Sequence, residues 1–499
     1  MSRPLAGRLS LGIAGFNQAK SFRFLRGFST TTLTSTSNSN YKGGDNKSAT
    51  RVLRTNKAPS VPQFGEEPHW TRYLENLRAQ HPGLWARIQK NKLEGQTLAF
   101  AWVTPKSLAR GLEGGIIARL CSTPELNLIG TRMYCPSNEF VDEYIKAHTD
   151  THTDGAFKPF LQFMNQDVRP GGKKAYPNHL LLLLFTGENA RQRIVDVIGS
   201  QQESDTHMGT SSKTIRGSYG EFRKDPVTGE VVDFQPALVG AHSDEGNLRY
   251  LRVFSKYAFS DGGILNIEDE KNEFTNAMVM IKPDSLEHPS ARPGHIMDLF
   301  SSTGLTLIGS SVFSMSVAQA REFYGFLETV FQQKFQKDVE RVVKARLEGA
   351  FDFTIPDEVY TVTTALLMRR HAQQQVAQII QFMTGIPAPP GGTHQNLPAQ
   401  DQLRRGPARC MALLYRGKDA IATVRSKLGS TDPNKALPGT VRFDYGEDVM
   451  RNGAHASDSP EALEREMRII RFGQGGKASV KKIIDLWFFD DDLESGRGF

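Results

Sequence analysis

One order of strand, turn, helix and strand occurs twice in the chain, and this repetition limits the fold more than any other feature. In the first copy, residues 97–103 form a β-rich apolar run and Thr104-Pro105-Lys106-Ser107-Leu108 a turn. Residues 115–120 read as a helix and 126–133 as a strand. In the second copy, residues 278–281 are the strand and Lys282-Pro283-Asp284-Ser285-Leu286 the turn. Residues 294–300 are the helix, closed near Gly304, and 305–312 the next strand. The copies correspond again at 185–190 and 415–420, and a third time at Gly240-Ala241-His242 and Gly453-Ala454-His455. Matches in one order point to tandem domains. Strands and helices alternate with few long crossovers, which favours a ferredoxin-like (βαββαβ) α+β sandwich, an antiparallel sheet with helices on one face. The pattern alone leaves another α/β arrangement open.

The first 44 residues contain no Asp or Glu. Arg3, Arg8, Lys20, Arg23 and Arg26 are interleaved with Leu5, Leu9, Leu11, Ile13 and Phe16, and a Ser/Thr-rich stretch follows at 29–39. This composition reads as a mitochondrial transit peptide over residues 1–40, with Arg26-Gly27-Phe28-Ser29 as a cleavage region, and places the protein in the mitochondrial matrix. A disordered basic tail is the competing reading. Residues 41–96 read as a polar linker and a helical extension built on Trp70, Leu74, Leu77, Leu84, Trp85 and Ile88, broken at His81-Pro82-Gly83. The repeats then span 97–260 and 276–475, with a tail at 476–499 whose apolar residues 483–489 suit a docking strand or helix.

The second repeat is interrupted. After a capping-box helix start at Ser316-Val317-Ala318-Gln319, residues 332–407 form a large insertion, mostly helical to Arg370 and then a Pro/Gly-rich loop from 385. Its Lys334, Lys337, Arg341, Lys344 and Arg346 suit either a solvated helix face or a docking surface. The net charge of +7 suits anionic partners such as nucleotides and predicts no specific nucleic acid. Cys121, Cys135 and Cys410 are scattered, with no C-x-x-C, so neither a disulfide framework nor a zinc site is indicated. The longest apolar run, residues 180–185, is far too short to cross a bilayer.

The chemistry concentrates near the C-terminus. His455 stands among small residues in Asn452-Gly453-Ala454-His455-Ala456-Ser457-Asp458-Ser459-Pro460, where Ser459 and Pro460 suit a helix N-cap and first position. An accessible imidazole is a competent nucleophile near neutral pH. Lys282 follows a strand end, Asp419 and Gly429 can bound a helix over 420–428 that carries Arg425, and Thr431 and Arg442 add a hydroxyl and a guanidinium suited to phosphate.

These strings resemble the nucleoside diphosphate kinases, whose active-site histidine lies in an N-x-x-H-x-S-D-S-like string thirteen residues after the arginine of P-G-T-x-R. Here Pro438-Gly439-Thr440-Val441-Arg442 precedes His455 by 13. The resemblance implies tandem ferredoxin-like domains of that family and a γ-phosphoryl transfer through phosphohistidine, with Mg²⁺. It implies that Arg425, Thr431 and Arg442 hold phosphates, that Lys282 and Asn452 contact sugar or phosphate, and that Tyr324 lies close to His455. Ser457 belongs to the same string, and Glu466 matches the carboxylate that orients the imidazole. The implied partners are ATP and other nucleoside tri- and diphosphates, with a homo-oligomer common in the family. One position departs: the family's base-stacking phenylalanine falls near Gln375.

The first repeat departs further. Arg216 and His242 remain, but Thr104 stands for Lys282, Val195 for Arg425 and Val239 for Asn452. The arginine–histidine spacing doubles to 26, with residues 224–235 reading as an inserted hairpin. The expectation is one catalytic repeat and one degenerate repeat. A non-catalytic component of a mitochondrial assembly, such as a ribosome or respiratory complex, and a nucleotide sensor are the rival readings. Two strings mislead. Asp150-Thr151-His152-Thr153-Asp154-Gly155 opens like a calcium loop but has Leu161 at position twelve. Gly111-Leu112-Glu113-Gly114-Gly115 lacks the lysine of a phosphate loop and reads as a flexible turn.

Overall fold

The computed structural model describes residues 67–149, 157–172, 176–199, 213–228, 231–267, 273–473 and 479–488. The transit-peptide reading, most of the linker and the calcium-like string lie outside them. Two helices, Glu67–Gln80 and Pro82–Leu93, meet at His81. Strands β1 (Gln96–Val103), β2 (Asn127–Tyr134) and β3 (Leu180–Glu188) come next. Then follow β4 (Glu221–Lys224) and β5 (Val231–Gln235), which pair only with each other, and β6 (Leu238–Gly240) and β7 (Gly262–Gly263). The second repeat supplies β8 (Phe274–Ile281), β9 (Thr306–Phe313), β10 (Cys410–Lys418) and β11 (Ala454–Ala456). The sheets run in the orders β6-β1-β3-β2-β7 and β11-β8-β10-β9, all neighbours antiparallel.

Both faces of the first sheet are covered, not one. Ala99, Ala101 and Val103 of β1 face the core beneath the helices Glu113–Cys121 and Ala190–Ile198. Leu98, Phe100 and Trp102 face a second, aromatic core closed by Tyr144, Phe163, Phe254 and Trp487. Strands buried on both faces read as unbroken apolar runs, which is why 180–185 carries no alternation. The tail helix Ser479–Trp487 belongs to this second layer. Its Lys481 and Asp485 form a buried ion pair at 2.8 Å, with Tyr73 donating to Asp485.

The repeats meet through corresponding elements, β2 against β9 and the helix Glu113–Cys121 against the helix Arg292–Ser301. Thr131 on β2 and Ser310 on β9 share a hydrogen bond of 2.7 Å. On the helices Glu113–Cys121 and Arg292–Ser301, a Cβ on Gly114 would lie 2.6 Å from the Asp298 nitrogen. A Cβ on Gly294 would lie 2.2 Å from the Ala118 nitrogen. Gly114 is therefore not in a flexible turn: it lies inside the helix, and its missing side chain lets two backbones touch. Arg409, half-buried, donates to the Leu128 carbonyl at 2.7 Å and the Leu286 carbonyl at 3.2 Å, tying the repeats together. One hydrophobic core runs through both repeats.

The interruption of the second repeat is a helical hairpin, Leu327–Leu347 and Asp357–Thr384. It starts before residue 332, and its second helix continues well beyond Arg370. Phe331, Phe335, Ala372, Val376 and Ile380 join the main core, so the hairpin's base is structural while its tip projects. The loop after it holds short helical turns at His394–Asn396 and Ala399–Leu403.

Candidate active site

His455 sits on the short edge strand β11, held against β8 opposite Met280. The strand ends where Ser459 accepts a hydrogen bond from the Ala462 nitrogen (3.1 Å) and starts the helix Pro460–Ile470. This helix turns Glu466 back under the imidazole. His455 Nε2 lies 3.0 and 3.1 Å from the two Glu466 oxygens, and Ser457 Oγ donates to the same carboxylate at 2.7 Å. Burial alone would raise the Glu466 carboxyl. The hydrogen bonds from His455 and Ser457 and the Arg465 charge hold it below its ordinary value, so it stays an acceptor. Nε2 therefore carries the proton and Nδ1 keeps its lone pair.

The Lys282-Pro283-Asp284 turn after β8 clasps the histidine loop. The Lys282 nitrogen donates to the Gly453 carbonyl at 2.9 Å, and the Gly453 nitrogen to Asp284 Oδ2 at 3.1 Å. Gly453 needs its positive φ of 79° to present both groups to one turn. Lys282 Nζ, buried, donates to Asn452 Oδ1 (2.6 Å) and the Met450 carbonyl (3.0 Å). Asn452, fully buried, returns its Nδ2 to the Thr431 carbonyl at 3.0 Å. Burial, with the Arg442 charge, lowers Lys282 to about 8.

Arg442 extends from the short helix Val441–Tyr445. One terminal nitrogen donates to the Gly429 carbonyl (3.0 Å) and Thr431 Oγ (3.3 Å), the other to the Ala454 carbonyl (3.4 Å). Burial, and then the Arg425 charge, lower it to about 10. Lys282 and Arg425 thus both stand within electrostatic reach of Arg442. After burial, Arg442 is what most disfavours the charge on Lys282, and Arg425 what most disfavours the charge on Arg442. A bound polyanion would remove that cost. Arg442 Nε and the buried Tyr324 hydroxyl make no protein hydrogen bond.

Three points differ from the reading of the residues. Phe323 packs on the imidazole at 5.3 Å between centroids in a T-shaped arrangement that the sequence did not indicate, and the neighbouring Tyr324 stands within electrostatic reach of Glu466 and Arg442. Asp419 occupies the N-cap position in the left-handed region (φ 48°) with no side-chain cap bond, and Thr275 Oγ1 accepts from the Ala420 nitrogen at 2.9 Å instead. Asp284 was missed as a brace, although it lies in the same turn as Lys282. Gln375 lies half-buried on the helix Asp357–Thr384. Among the described residues no cluster of three His, Cys, Asp or Glu side chains is placed to hold a metal ion.

Residues 398–474 match the model of the family described as nucleoside diphosphate kinase. This segment is similar to the nucleoside diphosphate kinase family. Its relatives include the nucleoside diphosphate kinase of Carboxydothermus hydrogenoformans, 44% identical over 80 residues (16% of this chain, 53% of the relative). That of Archaeoglobus fulgidus is 40% identical over 91 residues (18% and 58%). The chain thus spans little more than half of these relatives' length. A crystal structure of the Aquifex aeolicus nucleoside diphosphate kinase aligns at 21% identity and a TM-score of 0.24, over 40% of this chain and 98% of that one. Arg425, Thr431, Arg442, Asn452, His455, Ser457 and Glu466 fall inside the matched segment; Lys282 and Tyr324 fall outside it.

The first repeat has no such constellation. Its Thr104 nitrogen donates to the Ala237 carbonyl (3.2 Å), as Lys282 does to Gly453, and β6 pairs Val239 with Trp102 as β11 pairs His455 with Met280. Val239 therefore stands where His455 stands, Pro236 where Asn452 stands, and Tyr250, seven residues past the Ser243 cap, where Glu466 stands. This corrects the matching of the two Gly-Ala-His strings: His242 lies three residues beyond the nucleophile's place, exposed, just before the helix Asp244–Lys256. The β4–β5 hairpin is anchored beside the cleft. Glu221 pairs with Lys106 and Arg110, and Gln235 donates to Asp167 at 3.3 Å.

Proposed function

We propose that the second repeat is a nucleoside diphosphate kinase and that His455 carries the phosphoryl group. The observation that supports this best is the pairing of an imidazole held through Nε2 by Glu466 with Lys282 and Arg425 standing within electrostatic reach of Arg442. The Nδ1 lone pair would attack the γ-phosphorus of a bound nucleoside triphosphate. The bond to the bridging oxygen breaks, its electrons leave with the diphosphate, and phosphohistidine remains. A second nucleoside diphosphate then attacks through its terminal phosphate oxygen and restores the free imidazole. Arg425, Arg442 and Thr431 would hold the phosphates and Lys282 would sit at the sugar–phosphate edge. Asn452 positions Lys282, and Tyr324 is available to a phosphate or water in the cleft. Mg²⁺ would be carried on the nucleotide phosphates, which Arg425, Arg442 and Thr431 would hold. That ion would neutralise the transferring oxygens.

The test is incubation of the purified chain with γ-labelled ATP and Mg²⁺. Acid-labile, base-stable label at one equivalent per chain is expected, and absence of label rejects the reading. In this reading the first repeat is a scaffold, and the protein works in the mitochondrial matrix. The mature chain should begin between residues 28 and 41, checked by N-terminal sequencing from isolated mitochondria; an intact Met1 in the cytosol removes the matrix assignment. A second reading, a non-catalytic subunit of a mitochondrial assembly, draws support from the loss of the nucleophile in the first repeat. It predicts comigration with a large particle on a gradient and no label.

A further inference from the structure

The second helix of the hairpin, Asp357–Thr384, leaves one line of its surface bare. Val359, Val362 and Leu366 are 44%, 59% and 64% exposed, and steps of three and four residues place them on one face, with Leu367, 50% exposed, beside Leu366. Thr364 and Ala372, buried, lie on the far side. Phe351 and Phe353 in the hairpin tip extend the apolar surface; both are exposed, with their ring centroids 5.4 Å apart. Apolar side chains along a projecting helix cost solubility unless something covers them.

The charges around the line say what covers it. Glu358 stands just before it, in the first turn with Asp357. Arg369 and Arg370 stand three and four residues after it, and Arg370 is already oriented by donating to the Gly391 carbonyl. The face reads negative, apolar, positive along the helix. Laid parallel on itself, such a face puts like charges together. Turned end for end about a point near residue 364, it matches itself: Glu358 meets Arg369 and Arg370, Val362 meets Leu366, and Val359 meets the aliphatic stem of Arg369. Two-fold symmetry makes every contact occur twice. We propose that this face is a homodimer interface, the Asp357–Thr384 helices of two copies of this chain packing antiparallel across a two-fold axis near residue 364. It is independent of the phosphotransfer proposal, because none of these residues enters the cleft.

Sedimentation equilibrium of the full chain at tens of micromolar tests it. The wild type should show twice the chain mass, dissociating on dilution. Val362→Glu with Leu366→Glu should return the chain mass while far-ultraviolet circular dichroism stays unchanged, since both side chains point to solvent in the single chain. Charge reversal at the rim of the interface is a gentler change: Glu358→Arg should weaken the dimer by about tenfold. Adding Arg369→Glu and Arg370→Glu to it should restore most of that loss, because the swapped charges again oppose across the axis. A wild type at chain mass overturns the proposal. So does a dimer that survives the double glutamate variant, which would lie on another surface, or a charge swap that fails to recover, which would mean another register or a different protein as partner.

Discussion

The two histidines of the repeated strings divide at the level of single residues. His455 has a carboxylate beneath it and cations in front; His242 is exposed, and Val239 fills the strand position that the nucleophile needs. His455→Ala should abolish both phosphoenzyme and nucleotide exchange, while His242→Ala should leave both at wild-type levels. Label per chain and exchange rate are the measurements, and loss of half the label in His242→Ala would make the first repeat catalytic. Arg425→Ala should slow transfer about 10²- to 10³-fold, as removal of one preorganised charge from a transition state does. Lys282 adds a pH signature. In the free site it deprotonates near 8, and a bound triphosphate favours its charged form. Nucleotide affinity should therefore fall as pH rises above about 8, by at most tenfold per unit. Binding at pH 9 should take up close to one proton, read from the buffer dependence of the calorimetric enthalpy. In Lys282→Gln the uptake should vanish.

Between elements, the seam of the repeats depends on missing side chains. A methyl group at Gly294 would sit 2.2 Å from the Ala118 nitrogen and 2.3 Å from the Gly114 carbonyl oxygen, both rigid helix backbone. Gly294→Ala should destabilise the protein by roughly 2–3 kcal/mol or more through forced separation of the helices. Gly304→Ala is the control: no atom lies within 4 Å, and only its φ of 79° opposes the substitution, at about 1 kcal/mol. Comparing the thermal midpoints of the two variants checks this; equal losses would mean that the helix contact contributes nothing. The glycines at 114 and 294 were visible in the sequence but not their use, because the partner of each is the other repeat.

Over the whole molecule, one core passes through both sheets, and the tail helix closes a second core on the first repeat. Calorimetry should show a single unfolding transition for the described body, with the calorimetric and van't Hoff enthalpies equal; two resolved transitions would mean that the repeats unfold separately. The sequence by itself determined the repetition, the order of strands and helices within it, and the string around His455, because strand runs, caps and a nucleophile's small neighbours are local properties. It also supplied Glu466 and Arg442, whose spacing from His455 survives in the chain. Tertiary structure decided what depends on register and on contacts between distant segments. It covered both faces of a sheet expected to be covered on one, and set Val239, not His242, opposite Trp102. It also moved the cap of the helix Ala420–Leu428 from Asp419 to Thr275. The physical reason is that a three-residue Gly-Ala-His match carries no register, whereas the backbone bonds Thr104 to Ala237 and Lys282 to Gly453 do.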